Sequence, residues 1–454
     1  MCGILGIYSN KNVAKDLYYG LFSMQHRGQE SCGMAVHDGQ EINYKKKMGL
    51  VGDVFKPHNL EELPGTMGIA HVRYSSIPGN QIHNCLPLVG TIRNRNLGIV
   101  VEGSIVNAKY LRQMLEEDGI MFNGKTDSEV ILYMIAKYYT GDIVEALKLT
   151  MDQIKGAYSI ILLTDNEIVA VRDPHGLRPI LLGQRDDGEY LFASEDAGIE
   201  LIGGQVIRDL EPGEIIVVKD AELKSYNFSN KIKTMKKSCI FEYIYFARND
   251  ATIDKVNSYE FRVKSGEILA QNDDVKVDMV VPVPDSGWAA AIGYANASKI
   301  PLSEALVKNR YVGRTFIKPT QEERERGVKI KLNPLYRVLE GKSIILVDDS
   351  IVRGTTSRQL VKSLRDAGAK EIHLRITSPP VKYPCYYGID TTNRANLLAA
   401  KMNEEEMREY IGCDSLKFLD IDKMMEAVGE GNEFKFCKAC FDGNYPVKKF
   451  DKEN

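Results

Sequence analysis

The chain has 454 residues, 59 basic against 62 acidic side chains, and a formal net charge of −3. That length suits roughly two or three domains, each with its own core, and the balanced charge gives no reason to expect nucleic acid or an anionic membrane as a partner. Met1-Cys2-Gly3-Ile4 lacks the basic-then-apolar opening of a leader, and no apolar run reaches the roughly 18 residues of a membrane span, so a cytoplasmic protein is expected. Eight cysteines in so long a chain are not a disulfide scaffold; nucleophile, metal ligand and buried thiol are the roles left open.

The amino-terminal half carries short apolar segments at Ile4 to Tyr8, Met67 to Val72, Leu97 to Val101, Tyr158 to Leu163, Ile168 to Arg172 and Tyr190 to Ala193. Polar turns such as Thr164-Asp165-Asn166-Glu167 join several of them, which suits antiparallel hairpins. Helical spacing runs from Val13 to Met24, Asn107 to Glu116 and Ser128 to Tyr138. Stacked sheets in a layered α/β domain follow.

Cys2 is the informative residue here. Removal of Met1 would leave one residue carrying a thiol and a free α-amine, whose pKa near 8 lets it act as the base for its own nucleophile. Cys2-Gly3-Ile4-Leu5-Gly6, His26-Arg27-Gly28-Gln29-Glu30-Ser31, His71-Val72-Arg73-Tyr74-Ser75-Ser76 and Thr126-Asp127-Ser128-Glu129 together resemble the segments of the amino-terminal-nucleophile glutaminase family. The resemblance implies that Cys2 attacks the side-chain amide of glutamine, that Arg73 pairs with its α-carboxylate and that Asp127 holds its α-ammonium. A bidentate guanidinium and a carboxylate are natural readers of a free amino acid.

One segment departs from that family. Val101-Glu102-Gly103-Ser104 stands where the family carries His-Asn-Gly-Asn, and Leu86 stands where it carries glutamine. There the first asparagine and the glycine N–H stabilise the oxyanion, so Gly103 keeps its role and Glu102 does not. Loss of one such donor costs about 3 kcal/mol, or 10²- to 10³-fold. Two expectations follow: a glutaminase half impaired by negative charge, or a rebuilt site with a protonated Glu102 as donor. Arg172-Asp173-Pro174-His175-Gly176-Leu177-Arg178-Pro179 and Ala193-Ser194-Glu195 read as turns with satisfied charges.

Asn227 to Lys237 turns basic and polar, with Lys231, Lys233, Lys236 and Lys237, and reads as the linker. Cys239 to Arg248 reads as a buried segment with one thiol. Val275 to Val283 is a strand ending at Pro284-Asp285-Ser286-Gly287, whose small residues let backbone approach a pyrophosphate, and a small-residue helix begins near Trp288. Lys308 to Gln321 carries Lys308, Arg310, Arg314 and Lys318 around Gly313, and reads as a basic flap that closes over a polyanion and excludes water.

Ile344 to Val347 reads as a buried strand ending on Asp348 and Asp349, and the turn after it opens a helix with Leu360, Val361, Leu364 and Ala367 on one side. A site at the carboxyl edge of a parallel sheet follows. Ser350, Arg353, Gly354, Thr355 and Thr356 would hold a phosphate at the helix start, while Asp348 and Asp349 take ribose hydroxyls or, with Ser286, a hydrated Mg²⁺. This stretch resembles the phosphoribosyltransferase family, and with Val281 to Gly287 and Lys308 to Ile317 it is similar to the glutamine phosphoribosylpyrophosphate amidotransferases.

Cys437-Lys438-Ala439-Cys440 alone leaves redox chemistry, zinc and iron–sulfur open. One branch of the amidotransferase family binds a structural [4Fe-4S] cluster through cysteines that match Cys239, Cys385, Cys437 and Cys440. Cys32, Cys85 and Cys413 read as plain thiols.

The resemblance therefore implies an α/β protein: a four-layer α-β-β-α glutaminase domain at 2–230, then a type I phosphoribosyltransferase domain with a parallel sheet at 231–454. The residues from Asn403 to Leu416 are expected in terminal helices against the amino-terminal domain. The implied reaction joins 5-phosphoribosyl diphosphate to ammonia from glutamine, giving 5-phosphoribosylamine for purine synthesis. A homodimer or homotetramer and purine nucleotides as feedback inhibitors are implied too. Use of free ammonia or another amine, or a regulatory protein with reduced catalysis, are the alternatives that Glu102 raises.

Overall fold

A computed structural model describes residues 2–74, 81–185, 188–228, 236–271, 273–309, 311, 332–391, 393–429 and 436–448. The expected boundary at 230/231, and Arg310, Gly313, Arg314 and Lys318 of the basic flap, lie outside the described residues.

Two antiparallel sheets face each other in the amino-terminal half. The first has seven strands in the order Gln205–Asp209, Leu181–Gln184, Tyr190–Ala193, Gly3–Tyr8, Met67–Arg73, Ser31–His37 and Ile42–Met48. The second has six, in the order Glu222–Asn227, Glu214–Lys219, Glu167–Arg172, Gly156–Thr164, Arg95–Ile105 and Leu88–Ile92. Alternation along Gly3–Tyr8 explains the stacking. Ile4 shares the core between the sheets with Ile161, Ile168 and Ile216, whereas Leu5 and Ile7 face Leu17 and Leu21 of the helix Ala14–Ser23. Helices Asp127–Tyr138 and Ile143–Gln153 cover the other sheet with Ile131, Ile135 and Leu147. The four-layer α-β-β-α expectation holds.

The carboxy-terminal half is built on a parallel sheet in the order Met279–Pro282, Ser343–Asp348, Glu371–Ile376 and Ser415–Phe418. Both faces are covered, which is why Ile344 to Val347 can be uniformly apolar. Ile345 and Val347 meet helices Ser258–Ala270 and Trp288–Ser298, while Ile344 and Leu346 meet Leu360, Val361 and Leu364 of the helix Thr355–Asp366. The first two helices approach closely because Gly266 and Gly293 lie at their crossing, where an added Cβ would meet Ala290 O and Val263 O at 1.9 Å each.

The carboxy-terminal segments differ from expectation. Glu404–Ile411 is a helix, with Asn403 and Glu406 forming a reciprocal capping box, but Ser415–Phe418 is the fourth parallel strand. Met407 and Ile411 pack in the transferase core with Leu360 and Leu364, not against the amino-terminal domain. The apolar Leu416 and Phe418 alternate too briefly to distinguish a strand from a helix end.

The halves are joined by buried charge. Arg172 makes a two-point pair with Asp254, Nη1 to Oδ1 at 3.0 Å and Nη2 to Oδ2 at 2.8 Å, and Lys236 adds a contact to Asp254 at 2.6 Å. Arg178 reaches Glu242 at 3.3 Å and donates through Nε to Tyr387 O at 3.0 Å. These arginines are thus domain fasteners, not the ordinary turn charges that their local sequence suggests.

Candidate functional site

The strand Gly3–Tyr8 places Cys2 beside the end of Met67–Arg73, since Gly3 pairs with Val72 and Ile4 with His71. The Cys2 thiol lies 3.8 Å from Tyr74 O. Burial pushes this thiol above its ordinary value, and the positive charge at the chain's amino terminus opposes the shift.

Arg73 is buried, and its Nη1 donates to Asn84 O at 2.6 Å. Asp127 opens its helix and accepts from Ser104 Oγ and, at 3.0 Å, from Ile105 N. Burial raises its carboxyl above the ordinary range, and these two donors pull it back. The segment after Gly103 is therefore tied to the residue assigned to the substrate's ammonium. Leu86 is buried in the core between the sheets, supplying apolar wall where a glutamine is absent.

Gly103 has φ +126° and an added Cβ would lie 2.1 Å from Ala157 O. From the transferase domain, Gly388 packs against its main chain, an added Cβ there lying 3.3 Å from Gly103 C. Gly103→Ala should lower stability by about 1–3 kcal/mol through strain alone, measured by urea unfolding; an unchanged midpoint would show that the strand relaxes freely.

Glu102 does not stand as a lone charge near Cys2. It is wholly buried, Oε1 accepts from Arg27 Nη2 at 2.7 Å and Oε2 from Ser194 Oγ at 2.7 Å. Burial raises its carboxyl and Arg27 opposes the rise. Arg27 also contacts Glu195 and, at 3.2 Å, Glu242 of the other domain. Glu195 resists burial because His26 and Arg27 hold its carboxyl down to about 2. Both oxygens are thus engaged by other partners, and the carboxylate's charge also helps to raise the Cys2 thiol. The His26-Arg27 segment was legible, but its ionic partners Glu102, Glu195 and Glu242 come from three distant segments and were not.

The second centre lies at the carboxyl ends of the parallel strands. Ser286 Oγ is 3.5 Å from Asp348 Oδ1, and Asp349 N donates to the same oxygen at 2.9 Å. Ser350 Oγ donates to Asp349. Asp349 is buried and Asp348 partly so. Burial and then the neighbouring Asp349 push Asp348 well above the ordinary carboxylate range, and burial raises Asp349 as well. Two like charges this close share a proton until a cation or hydroxyls arrive.

Gly354, with φ +72°, turns the chain into the helix Thr355–Asp366, whose amino end has no side-chain cap. Exposed Thr355 and Thr356 therefore border unclaimed main-chain donors, an arrangement suited to phosphate. Arg353 is exposed beside them, 3.8 Å from Asp390. Lys308 pairs with Asp285, and both line a hollow of about 500 Å³ with Pro284, Trp288, Glu304 and Val307. Arg262, which sequence reasoning missed, is buried in its helix, donates to Tyr243 O at 2.8 Å and to Ala247 O at 2.7 Å, and its charge faces Asp349.

The four remaining cysteines assigned together do converge. Cys239 and Cys437 bridge two chain segments, with Ile240 N donating to Cys437 O at 3.2 Å and Cys437 N to Ser238 O at 2.9 Å. Lys382 N and Tyr383 N both donate to Cys440 O at 3.0 Å, bringing the Cys385 loop alongside. Burial raises the Cys239 thiol to about 11, with Arg178 opposing and Cys385 adding; the Cys440 thiol is raised by burial and by all three others. Among the described residues no three His, Cys, Asp or Glu side chains lie close enough to hold a single metal ion. Cys32, Cys85 and Cys413 are buried elsewhere.

An amino-terminal-nucleophile glutaminase domain fused to a phosphoribosyltransferase-type parallel sheet defines a glutamine amidotransferase with two centres. A family model described as a glutamine amidotransferase domain matches residues 80–200. The amidophosphoribosyltransferase of Methanocaldococcus jannaschii is 45% identical over 465 residues, covering 99% of this chain and 98% of that one; the Bacillus subtilis enzyme is 41% identical, covering 98% and 94%. The solved B. subtilis glutamine phosphoribosylpyrophosphate amidotransferase, complexed with ADP and GMP, superposes with a TM-score of 0.92 at 41% identity, covering 99% and 98%. The chain belongs to the amidophosphoribosyltransferase family.

Proposed function

We propose that the chain makes 5-phosphoribosylamine from 5-phosphoribosyl diphosphate and ammonia released from glutamine, the first step of purine biosynthesis. The observation that carries this is the pairing, in one chain of the family, of a Cys2 glutaminase centre with an acidic strand end and a helix start without a side-chain cap. Cys2 attacks the amide, Arg73 and Asp127 hold the free amino acid, and the main-chain N–H of Gly103 faces the oxyanion. At the other centre Ser350, Arg353, Gly354, Thr355 and Thr356 bind the 5-phosphate, and Lys308 with Arg310 binds diphosphate. Mg²⁺ fits Ser286, Asp348 and Asp349 as hard oxygen donors and would neutralise the leaving diphosphate. Ammonia then meets a ribosyl carbon held dry and in line. Side-by-side assays with glutamine and with ammonium test the whole reading; turnover with neither would overturn it.

A [4Fe-4S] cluster is the group best suited to Cys239, Cys385, Cys437 and Cys440. Four thiols brought together without an imidazole suit it, and Arg178 offers a balancing charge. It would clamp the carboxy-terminal segment. Cys437→Ser should lose iron and sulfide and melt several degrees lower; one zinc and no sulfide in the parent would refute the assignment. Purine nucleotides as inhibitors draw support from the ADP and GMP of the B. subtilis complex. A homodimer or homotetramer in the cytoplasm completes the proposal; among the described residues no helix is long and apolar enough to cross a membrane.

A further inference from the structure

Glu102 is connected to the nucleophile strand at two points. Through Oε1 it holds Arg27 Nη2 at 2.7 Å, and Arg27 Nε donates to the Cys2 carbonyl at 2.8 Å. Through Oε2 it holds Ser194 Oγ at 2.7 Å, and that hydroxyl accepts the Ile4 N–H at 3.0 Å. Arg27, Glu102 and Ser194 are all buried, so water cannot readily replace any of them. One carboxylate thus reaches residues 2 and 4 by an ionic route and a hydroxyl route.

Arg27 has other attractions. Glu195 and Glu242 engage Nη1, and Glu242 also approaches Nη2 at 3.2 Å. Glu102 gives Nη2 its shorter contact, on the side of the nucleophile strand. Without it the carboxylates that draw the guanidinium, among the described residues, are Glu195 and the transferase domain's Glu242, and the Nε contact to Cys2 loses its support.

We propose that Glu102 is a positioning residue for the nucleophile, seating Arg27 and Ser194 so that the main chain from Cys2 to Ile4 holds the thiol in one place. This rests on the reading of Cys2 as a glutaminase nucleophile. An acid in the family's oxyanion position then assists the reaction from behind the strand, and Glu102→Asn would not repair the site.

Glu102→Gln keeps size and an acceptor for Ser194 but removes the charge that Arg27 feels. Its glutamine-dependent kcat should fall about tenfold with the glutamine KM within about twofold, because the nucleophile and not the binding site is displaced. Ammonia-dependent synthesis should stay within about twofold, and iodoacetamide labelling of Cys2, followed by mass spectrometry, should slow several-fold. Ser194→Ala should give a smaller loss of the same kind. A purely structural role would lower the melting temperature without this kcat–KM split.

Glutamine turnover and Cys2 labelling in Glu102→Gln equal to or above the parent would overturn the proposal. Should that variant fail to fold, parent-like kcat and labelling in Ser194→Ala would overturn it instead. A parent inactive with glutamine but active with ammonium would sink the glutaminase reading; the labelling rates would still decide whether Glu102 positions the thiol.

Discussion

Cys2→Ala should lower glutamine-dependent phosphoribosylamine synthesis by at least about 10³-fold while ammonia-dependent synthesis stays within about twofold of the parent. The asymmetry follows from where the residue sits. Cys2 lies at the start of a strand of the first antiparallel sheet, beside Tyr74 O, whereas the acidic pair and the uncapped helix lie at the ends of the parallel strands in the other half. Removing one thiol takes away the only proposed route to ammonia from glutamine and touches nothing in the transferase centre. A variant losing both activities together would show that the thiol also supports the fold, and one losing neither would remove Cys2 from the reaction.

Asp348→Asn or Asp349→Asn should lower transfer at least about tenfold at saturating ammonium, since each carboxylate is assigned charge-assisted contacts worth about 1.5–3 kcal/mol apiece. Stability should move the other way. Both carboxyls are raised by burial, and Asp348 further by Asp349. An acid raised on folding holds its proton longer in the native state, so stability falls as pH climbs from the ordinary aspartate value through the raised one. Neutralising one member removes that cost, and the melting temperature near neutral pH should stay level or rise. Melting curves at about pH 5 and about pH 8 read the sign; a parent that gains stability over that interval while the variants do not would contradict the shared-proton picture. Mutants as fast as the parent would remove these residues from the site.

The motifs could be read before the fold because each is local. The apolar run Ile344 to Val347 ending on Asp348-Asp349, the turn at Gly354 and the segments around Cys2, Arg73 and Asp127 fold within a few residues of themselves, and hairpin signals such as Thr164 to Glu167 define strands from either side. Local signals also placed helices at Ala14–Ser23 and Asp127–Tyr138 within a residue or two.

The function of a charge is not local in this way. Arg178 in a turn and Glu242 after a cysteine look like ordinary polar residues until the domains bring them together at 3.3 Å, and Ser415–Phe418 becomes a strand only because Glu371–Ile376 offers a free edge. By itself the sequence determined the two catalytic chemistries and the four-layer and parallel-sheet halves, since backbone periodicity and short-range spacing carry them. Only the tertiary structure decided what Glu102 does: a carboxylate's effect depends on which cation and which donor lie within about 3 Å of it, and Arg27 and Ser194 reach it from 75 and 92 residues away.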